Sequence, residues 1–149
     1  MKLDSSIELV LEGKKAEVFG IDADASVYEA LVLMAEKRIG ALLAMQGSAL
    51  VGILSERDYA RKVILAGLSS KEVKVRDIMS SPVITVTRKT TIDECMHHMT
   101  KRRCRHLPVI EGGKVVAVVS LGDVVHWIIK FQDRTIHDLE DYISGEYPG

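Results

Sequence analysis

Two tetrads in this chain carry residue types that could hold a polar ligand: Ser55-Glu56-Arg57-Asp58 and Ser120-Leu121-Gly122-Asp123. Each follows an apolar run and precedes apolar residues at helical spacing. Ser-x-x-Asp closes a helix N-terminus, because the hydroxyl accepts a free backbone N–H and the carboxylate accepts the N–H of the cap residue. The same place suits an anion. Helix N–H groups and a hydroxyl face a phosphate there, and in the first tetrad Arg57 adds a cation. An Asp one turn into the helix can accept hydrogen bonds from both hydroxyls of a ribose. For a single match the cap is the stronger reading. Its recurrence brings in the second reading.

The recurrence extends along the chain. Val27 falls on Ile92, an offset of 65 residues (92 − 27). At that offset Glu29 falls on Glu94, Met34 on Met99, Arg38 on Arg103, Leu42 on Leu107, Gly47 on Gly112, Ser55 on Ser120 and Asp58 on Asp123, without a gap. Such a period must be found first, because it decides the architecture. Each copy reads as strand, helix, strand, strand, helix. The first strands are Glu17 to Ile21 and Pro82 to Val86. The helices open on "SVYE" and "TIDE", both capping boxes, with core stripes Val27, Ala30, Leu31, Met34 and Ile92, Cys95, Met96, Met99. Two apolar strands follow in each copy, joined by "QGS" and by "EGG", hairpin turns whose glycines accept positive φ. The last helix begins at the Ser-x-x-Asp tetrad, and Gly67 is placed to stop the first one.

The resulting plan has a helical segment over 1–16, a first copy over 17–67, a linker over 68–81, a second copy over 82–131 and an amphipathic helix over 132–149. In that last helix Ile136, Leu139, Tyr142 and Ile143 share a face, with Gly145 after them. A copy of about 50 residues makes a marginal core alone, so two copies related by a pseudo-twofold should pack together and leave related clefts between them. The fold class expected is α+β, small mixed sheets packed on helices. Val32, Leu33 and Ala35 add a second apolar face to the first helix, which predicts burial against another subunit and hence a homodimer.

Bulk properties exclude several classes. Lys and Arg number 20 against 21 Asp and Glu, a net charge of -1, where a general nucleic-acid or membrane-surface binder would be basic. No apolar run approaches the roughly 20 residues that span a bilayer. The start, MKLDSSIELVLEGKK, has no signal-peptide pattern, and Cys95 and Cys104 do not form a CxxC pair, so reduced thiols and a cytoplasmic location are expected. Cys95 and His98 lie three apart on a helix but lack further ligands at metal spacing, so a core Cys beside a surface His is the expectation and no metal is required. Cys104 and His106 share a strand face, and a buried small residue is favoured over a thiolate nucleophile. "EGGK" lacks the rest of a phosphate loop, and Trp127 and Phe131 read as helix packing.

With both copies in register, "GILSERD" and "AVVSLGD" resemble the G-h-x-[ST]-x-x-[DN] motif of the CBS domain. "IGALLAM" and "CRHLPVI" resemble its h-x-x-L-P-V strand, and "SVYEAL" and "TIDECM" the opening of its first helix. From Glu17 to about Ile129 the chain is similar to a tandem CBS pair, or Bateman module, standing alone without a catalytic, channel or transporter domain. That resemblance implies adenosine nucleotides as ligands: AMP, ADP or ATP, with NAD or S-adenosylmethionine in some members. It implies ribose hydroxyls on Asp58 and Asp123, and phosphate or the ribose edge at Ser55 and Ser120. Phosphate would also meet Arg57, Arg105 and His106. Backbone at Gly40, Ala41 and Arg105 to Leu107 would read the adenine edge. The base would lie among Val18, Phe19, Ile84 and Thr85. Ala117 and Gly122 depart from the motif, and Gly40-Ala41 lacks the basic side chains of Arg105-His106, so the two sites should differ. For Arg105 and His106 the alternative is a solvated strand edge.

Three functions stand at this point. The first is a regulatory sensor without enzymatic activity, passing nucleotide binding to a regulated partner protein. The second is an assembly protein with vacant clefts. The third, a small nucleotide hydrolase, lacks a recognisable nucleophile, base and oxyanion donor.

Overall fold

Two β-hairpins organise the protein, and both keep the repeat's register. The structure, a computed structural model, describes residues 3–14 and 17–144, side chains 133–136, 138, 139 and 141–144 excepted. In the first copy β2 (Ala41–Gln46) pairs antiparallel with β3 (Ala49–Ser55), and in the second β4 (His106–Glu111) pairs with β5 (Lys114–Ser120). Ala41 sits opposite Ser55, and His106 opposite Ser120. Each ladder shifts register at the same place, Ala44/Met45 and Val109/Ile110. The turns need positive φ, which Gly47 (φ +62°) supplies in the first hairpin and Gly112 (φ +58°) and Gly113 (φ +79°) in the second.

The first strands differ from expectation. β1 covers Gly20–Asp22 rather than Glu17 to Ile21 and pairs parallel with β2. The equivalent in the second copy, expected over Pro82 to Val86, is a single bridge between Val86 and Val109. In the first copy the Leu43 N–H donates to the Phe19 carbonyl (3.1 Å), and Pro108, at the equivalent position of the second copy, has no N–H to give.

The helices follow their caps. α2 (Val27–Lys37) starts at Ser26, whose hydroxyl accepts the Glu29 N–H. α5 (Ile92–Arg102) starts at a complete Thr91/Glu94 capping box. Both end on an arginine in the left-handed region, Arg38 (φ 55°) and Arg103 (φ 51°), where glycine is the usual residue. α3 (Glu56–Tyr59) continues as a π-helix over Ala60–Ile64, and Gly67 (φ +72°) turns the chain out of it. α6 runs unbroken over Leu121–Ser144, so the segment from 132 continues this helix instead of starting another. The apolar face expected there, Ile136, Leu139, Tyr142 and Ile143, lies outside the described side chains, and Gly145 outside the described residues.

The chain divides into two units, and the division reassigns its flanking segments. One unit is Glu17–Ile84 and the other joins Met1–Ala16 to Thr85–Gly149. In the first, residues 68–81, expected to be a linker with a short helical turn at Val75 to Met79, contribute α4 (Val75–Ile78) at that place, and its Val75 and Ile78 are buried with Val27, Ala30, Met34, Leu42, Leu54 and Val63. The Val27 N–H donates to the Val73 carbonyl at 2.8 Å, and the Arg76 N–H to that of Ala23. In the second unit α1 (Glu8–Glu12) and the residues before it do the corresponding work. Ile7 donates to the Thr90 carbonyl (2.8 Å) and Ile92 to that of Ser5 (2.9 Å). Ile7, Val10 and Leu11 are buried in the unit that holds Ile92, Cys95, Met99, Leu107, Val109, Val119 and Val124.

Candidate functional site

Each Ser-x-x-Asp tetrad sits where a hairpin strand ends and a helix begins, and the hydrogen bonds repeat. In the first unit the Ser55 N–H donates to Asp58 Oδ2 (2.9 Å) and the Asp58 N–H to Ser55 Oγ (3.2 Å). The Ser55 hydroxyl also donates to Asp58 Oδ2 (3.0 Å). In the second unit the Ser120 N–H donates to Asp123 Oδ2 (2.8 Å) and the Asp123 N–H to Ser120 Oγ (3.0 Å). The helix start is tied to the hairpin in the same way in both. Glu56 N–H donates to the Gly40 carbonyl (3.1 Å), and Leu121 N–H to the Arg105 carbonyl (2.8 Å). The structure therefore gathers Gly40, Ala41, Ser55 and Asp58 in one unit, and Arg105, His106, Ser120 and Asp123 in the other.

Other residues singled out by the sequence are placed as follows. Arg57 and Arg105 are exposed, and among the described residues neither guanidinium has a hydrogen-bond or ion-pair partner. Val18 and Phe19 are half-buried just before β1, and Phe19 carries Lys37 Nζ 5.4 Å from its ring centre. Ile84 is half-buried and Thr85 exposed, both outside regular secondary structure. The Leu107 side chain is wholly buried, which leaves only its backbone for any contact. Trp127 and Phe131 stack with ring centres 5.3 Å apart. Among the described residues no group of three His, Cys, Asp or Glu gathers as a metal site. Burial, with Glu94 beside it, pushes the Cys95 thiol up to about 11, so it is protonated at neutral pH.

The carboxylates differ in their cations. Asp58 Oδ1 faces Lys62 Nζ at 3.6 Å, one turn along the same helix, and that ammonium also donates to the Ile78 carbonyl (2.9 Å). Asp123 Oδ2 accepts from Lys14 Nζ at 2.6 Å, and Lys14 also donates to the Val118 carbonyl (2.6 Å). Burial raises the Asp123 pKa, but Lys14 and the Ser120 N–H outweigh it and hold the carboxyl below the usual carboxylate range. Neither lysine was singled out by the sequence. Lys62 had a signal, its i,i+4 spacing from Asp58. Lys14 is 109 positions from Asp123, and nothing local links them.

His106 sits beside this pair, and it is less cationic than the sequence implies. Burial, then the charge of Lys14, holds the imidazole below its ordinary value of 6.5, against a weaker opposite pull from Asp123. Above pH 6.5 the residue is neutral in folded and unfolded chains alike. As pH falls through 6.5 the unfolded chain takes a proton that the folded one refuses, so stability is lost down to the lowered folded pKa. Denaturant titrations between pH 7.5 and 5.5 should show this loss, and a His106→Gln variant should show a shallower one. An equal slope in both would contradict it.

The family model for the CBS domain matches residues 15–64 and 75–130. Over 129 residues the chain is 41% identical to the CBS domain-containing protein CBSX3, mitochondrial, of Arabidopsis thaliana, covering 83% of this chain and 63% of that protein. The chain thus spans less than two thirds of that relative. A solved CBS-domain protein from Burkholderia ambifaria superposes with a TM-score of 0.81 at 43% identity, covering 85% of this chain and 95% of that one. A CBS-domain containing protein from Agrobacterium tumefaciens superposes with a TM-score of 0.77 at 31% identity, covering 82% and 98%. Two capped Ser-x-x-Asp turns, two hairpins in one register and these matches agree: the chain belongs to the CBS-domain family and carries two tandem copies of the domain.

Proposed function

We propose that this protein is a non-catalytic regulatory sensor of adenosine nucleotides, with AMP, ADP, ATP or NAD as candidate ligands and a regulated protein as the reader. The observation that carries this reading is the pair of Ser-x-x-Asp turns, each presenting a partly exposed carboxylate at a helix start, with guanidinium groups at Arg57 and Arg105 that have no hydrogen-bond or ion-pair partner among the described residues. A ribose diol suits the carboxylate, and phosphate suits the arginine. Ligand can change the output only by binding one conformation better than another. Isothermal titration of ligand-free protein with AMP, ATP and NAD tests it: binding heat from at least one is expected, and none from any would overturn the reading. A cytoplasmic location belongs to the same reading. Fractionation of the source cells checks it, since CBSX3 is named as mitochondrial.

The protein is also proposed to be a homodimer through α2. Tyr28 and Val32 lie one turn apart with 45% and 40% of their surface exposed, while the equivalent positions on α5 are Asp93 and His97. An apolar stripe retained on one copy and polar on the other marks that face for a partner of like character. Sedimentation at micromolar concentration should give a dimer, and Val32→Glu should shift it to monomer. A wild-type monomer contradicts the proposal.

A further inference from the structure

The repeat makes the two cations of the Ser-x-x-Asp carboxylates comparable. Val118 occupies the position of Ile53. The flanking segments correspond through their hydrogen bonds: the Ile7 N–H donates to the Thr90 carbonyl as the Val75 N–H does to that of Ala25, and the Ile92 N–H to that of Ser5 as the Val27 N–H does to that of Val73, which sets Leu11 against Met79 and Lys14 against Pro82. In the first copy the Ile53 carbonyl accepts the Ser80 N–H (2.8 Å). In the second the Val118 carbonyl accepts from the Lys14 ammonium, which goes on to Asp123. Pro82 can offer no charge to its own copy's carboxylate. Lys62, which does, reaches Asp58 only at 3.6 Å and has Trp127 as its counterpart. The tie on Asp123 is the closer one, and it occupies an oxygen that also accepts the Ser120 N–H.

We propose that Lys14 is an internal competitor for the ribose at Asp123, so that the second copy takes nucleotide only by displacing this ammonium. The inference rests on the reading of Asp58 and Asp123 as ribose acceptors. Lys14 is well placed to compete. It follows α1, whose Val10 and Leu11 are buried, and its N–H donates to the Leu11 carbonyl (3.1 Å). A tethered group has a high effective concentration at its target. The anchoring also confines the change to the end of the segment. When the diol takes Asp123, the side chain swings away while α1 stays on the core. The lysine is then released near the ligand, and this copy, whose tetrad has Gly122 in place of Arg57, gains a mobile cation only after its ribose has bound. The second copy is accordingly the weaker site in the unmodified protein.

The test isolates the second copy in a full-length Asp58→Ala background and compares it with Asp58→Ala/Lys14→Met, both checked for folding by circular dichroism. AMP titrated by calorimetry should bind the Lys14→Met protein about five-fold tighter or more, the value of a partly exposed, charge-assisted hydrogen bond removed from the competition. Equal or weaker binding would overturn the proposal, and weaker binding would make Lys14 a ligand contact. Absence of heat from both variants overturns it as well, while absence from wild-type protein too overturns the nucleotide reading beneath it. A second readout needs no substitution. Mass spectrometry of acetic-anhydride labelling should show Lys14 becoming more reactive on saturation with AMP, and unchanged reactivity in protein that binds AMP at the second copy would count against displacement.

Discussion

Gly52→Ala should destabilise the first unit by about 1–3 kcal/mol, as overpacking of a filled core does. Gly52 is buried on β3, directly under Met79. A β-carbon added there would stand 2.7 Å from Met79 Cγ and 3.1 Å from its Cβ, and closer still to its sulfur. The outer part of a methionine side chain can move, but its Cβ is fixed by the backbone. That backbone is held in turn, because the Ser80 N–H donates to the Ile53 carbonyl (2.8 Å) and the Ile53 N–H to the Ser80 carbonyl (3.1 Å). Either that bridge opens or β3 shifts. The second copy shows why glycine is not needed for the strand itself. Ala117 occupies the equivalent position, buried with 6% of its surface exposed, and no methionine lies there. Denaturant midpoints of Gly52→Ala, Met79→Ala and the double variant form a cycle. A coupling of at least about 1 kcal/mol in favour of the double variant is expected for residues in direct contact. Additive effects would show that the conflict lies elsewhere.

Asp58→Asn should weaken nucleotide binding at the first copy by about 100-fold, while the protein stays folded. An ionised carboxylate accepts hydrogen bonds through both oxygens, and bonds to a charged group contribute about 1.5–3 kcal/mol each. Two ribose hydroxyls bonded to one carboxylate therefore account for at least about 3 kcal/mol, or roughly a hundred-fold in affinity. Asparagine keeps one oxygen. That oxygen can go on accepting the Ser55 N–H, so the cap survives better than in Asp58→Ala, where loss of a cap costs about 1 kcal/mol. Calorimetry and thermal melting separate the two effects. A hundred-fold loss with little change in melting supports the ribose role. Unchanged affinity would reduce Asp58 to a helix cap, and loss of folding in Asn as well as Ala would show that the cap dominates.

Much of this fold could be read from sequence because the features involved are local. A capping box spans four residues, so Thr91 with Glu94 and Ser55 with Asp58 are legible in the sequence alone. The hairpins were legible because apolar strands flank glycines that can take positive φ. The duplicate itself was the strongest sign, since a motif weak in one copy gains weight when it returns in register. Several features were not legible. The second copy's first strand shrank to one bridge because Pro108 stands where Leu43 gives its N–H to the neighbouring strand, and apolar pattern does not encode which strand lies beside it. The continuous α6 looks like two helices in sequence because a change in the apolar face resembles a boundary.

The sequence by itself determined two copies in register, their hairpins, and the four residues that cap their last helices. Periodicity and i to i+3 hydrogen bonding act over a few residues, and the types of those residues decide them. Only the tertiary structure decided which distant segments complete each copy. It put residues 3–14 with the second copy and α4 with the first, set Met79 over Gly52, and brought Lys14 to Asp123 across 109 positions. Contacts of that range depend on where buried side chains such as Ile7, Val10 and Val75 find a core to enter, and that is settled when the whole chain packs. The two carboxylates are alike in sequence, and they differ because packing gives each a different cation.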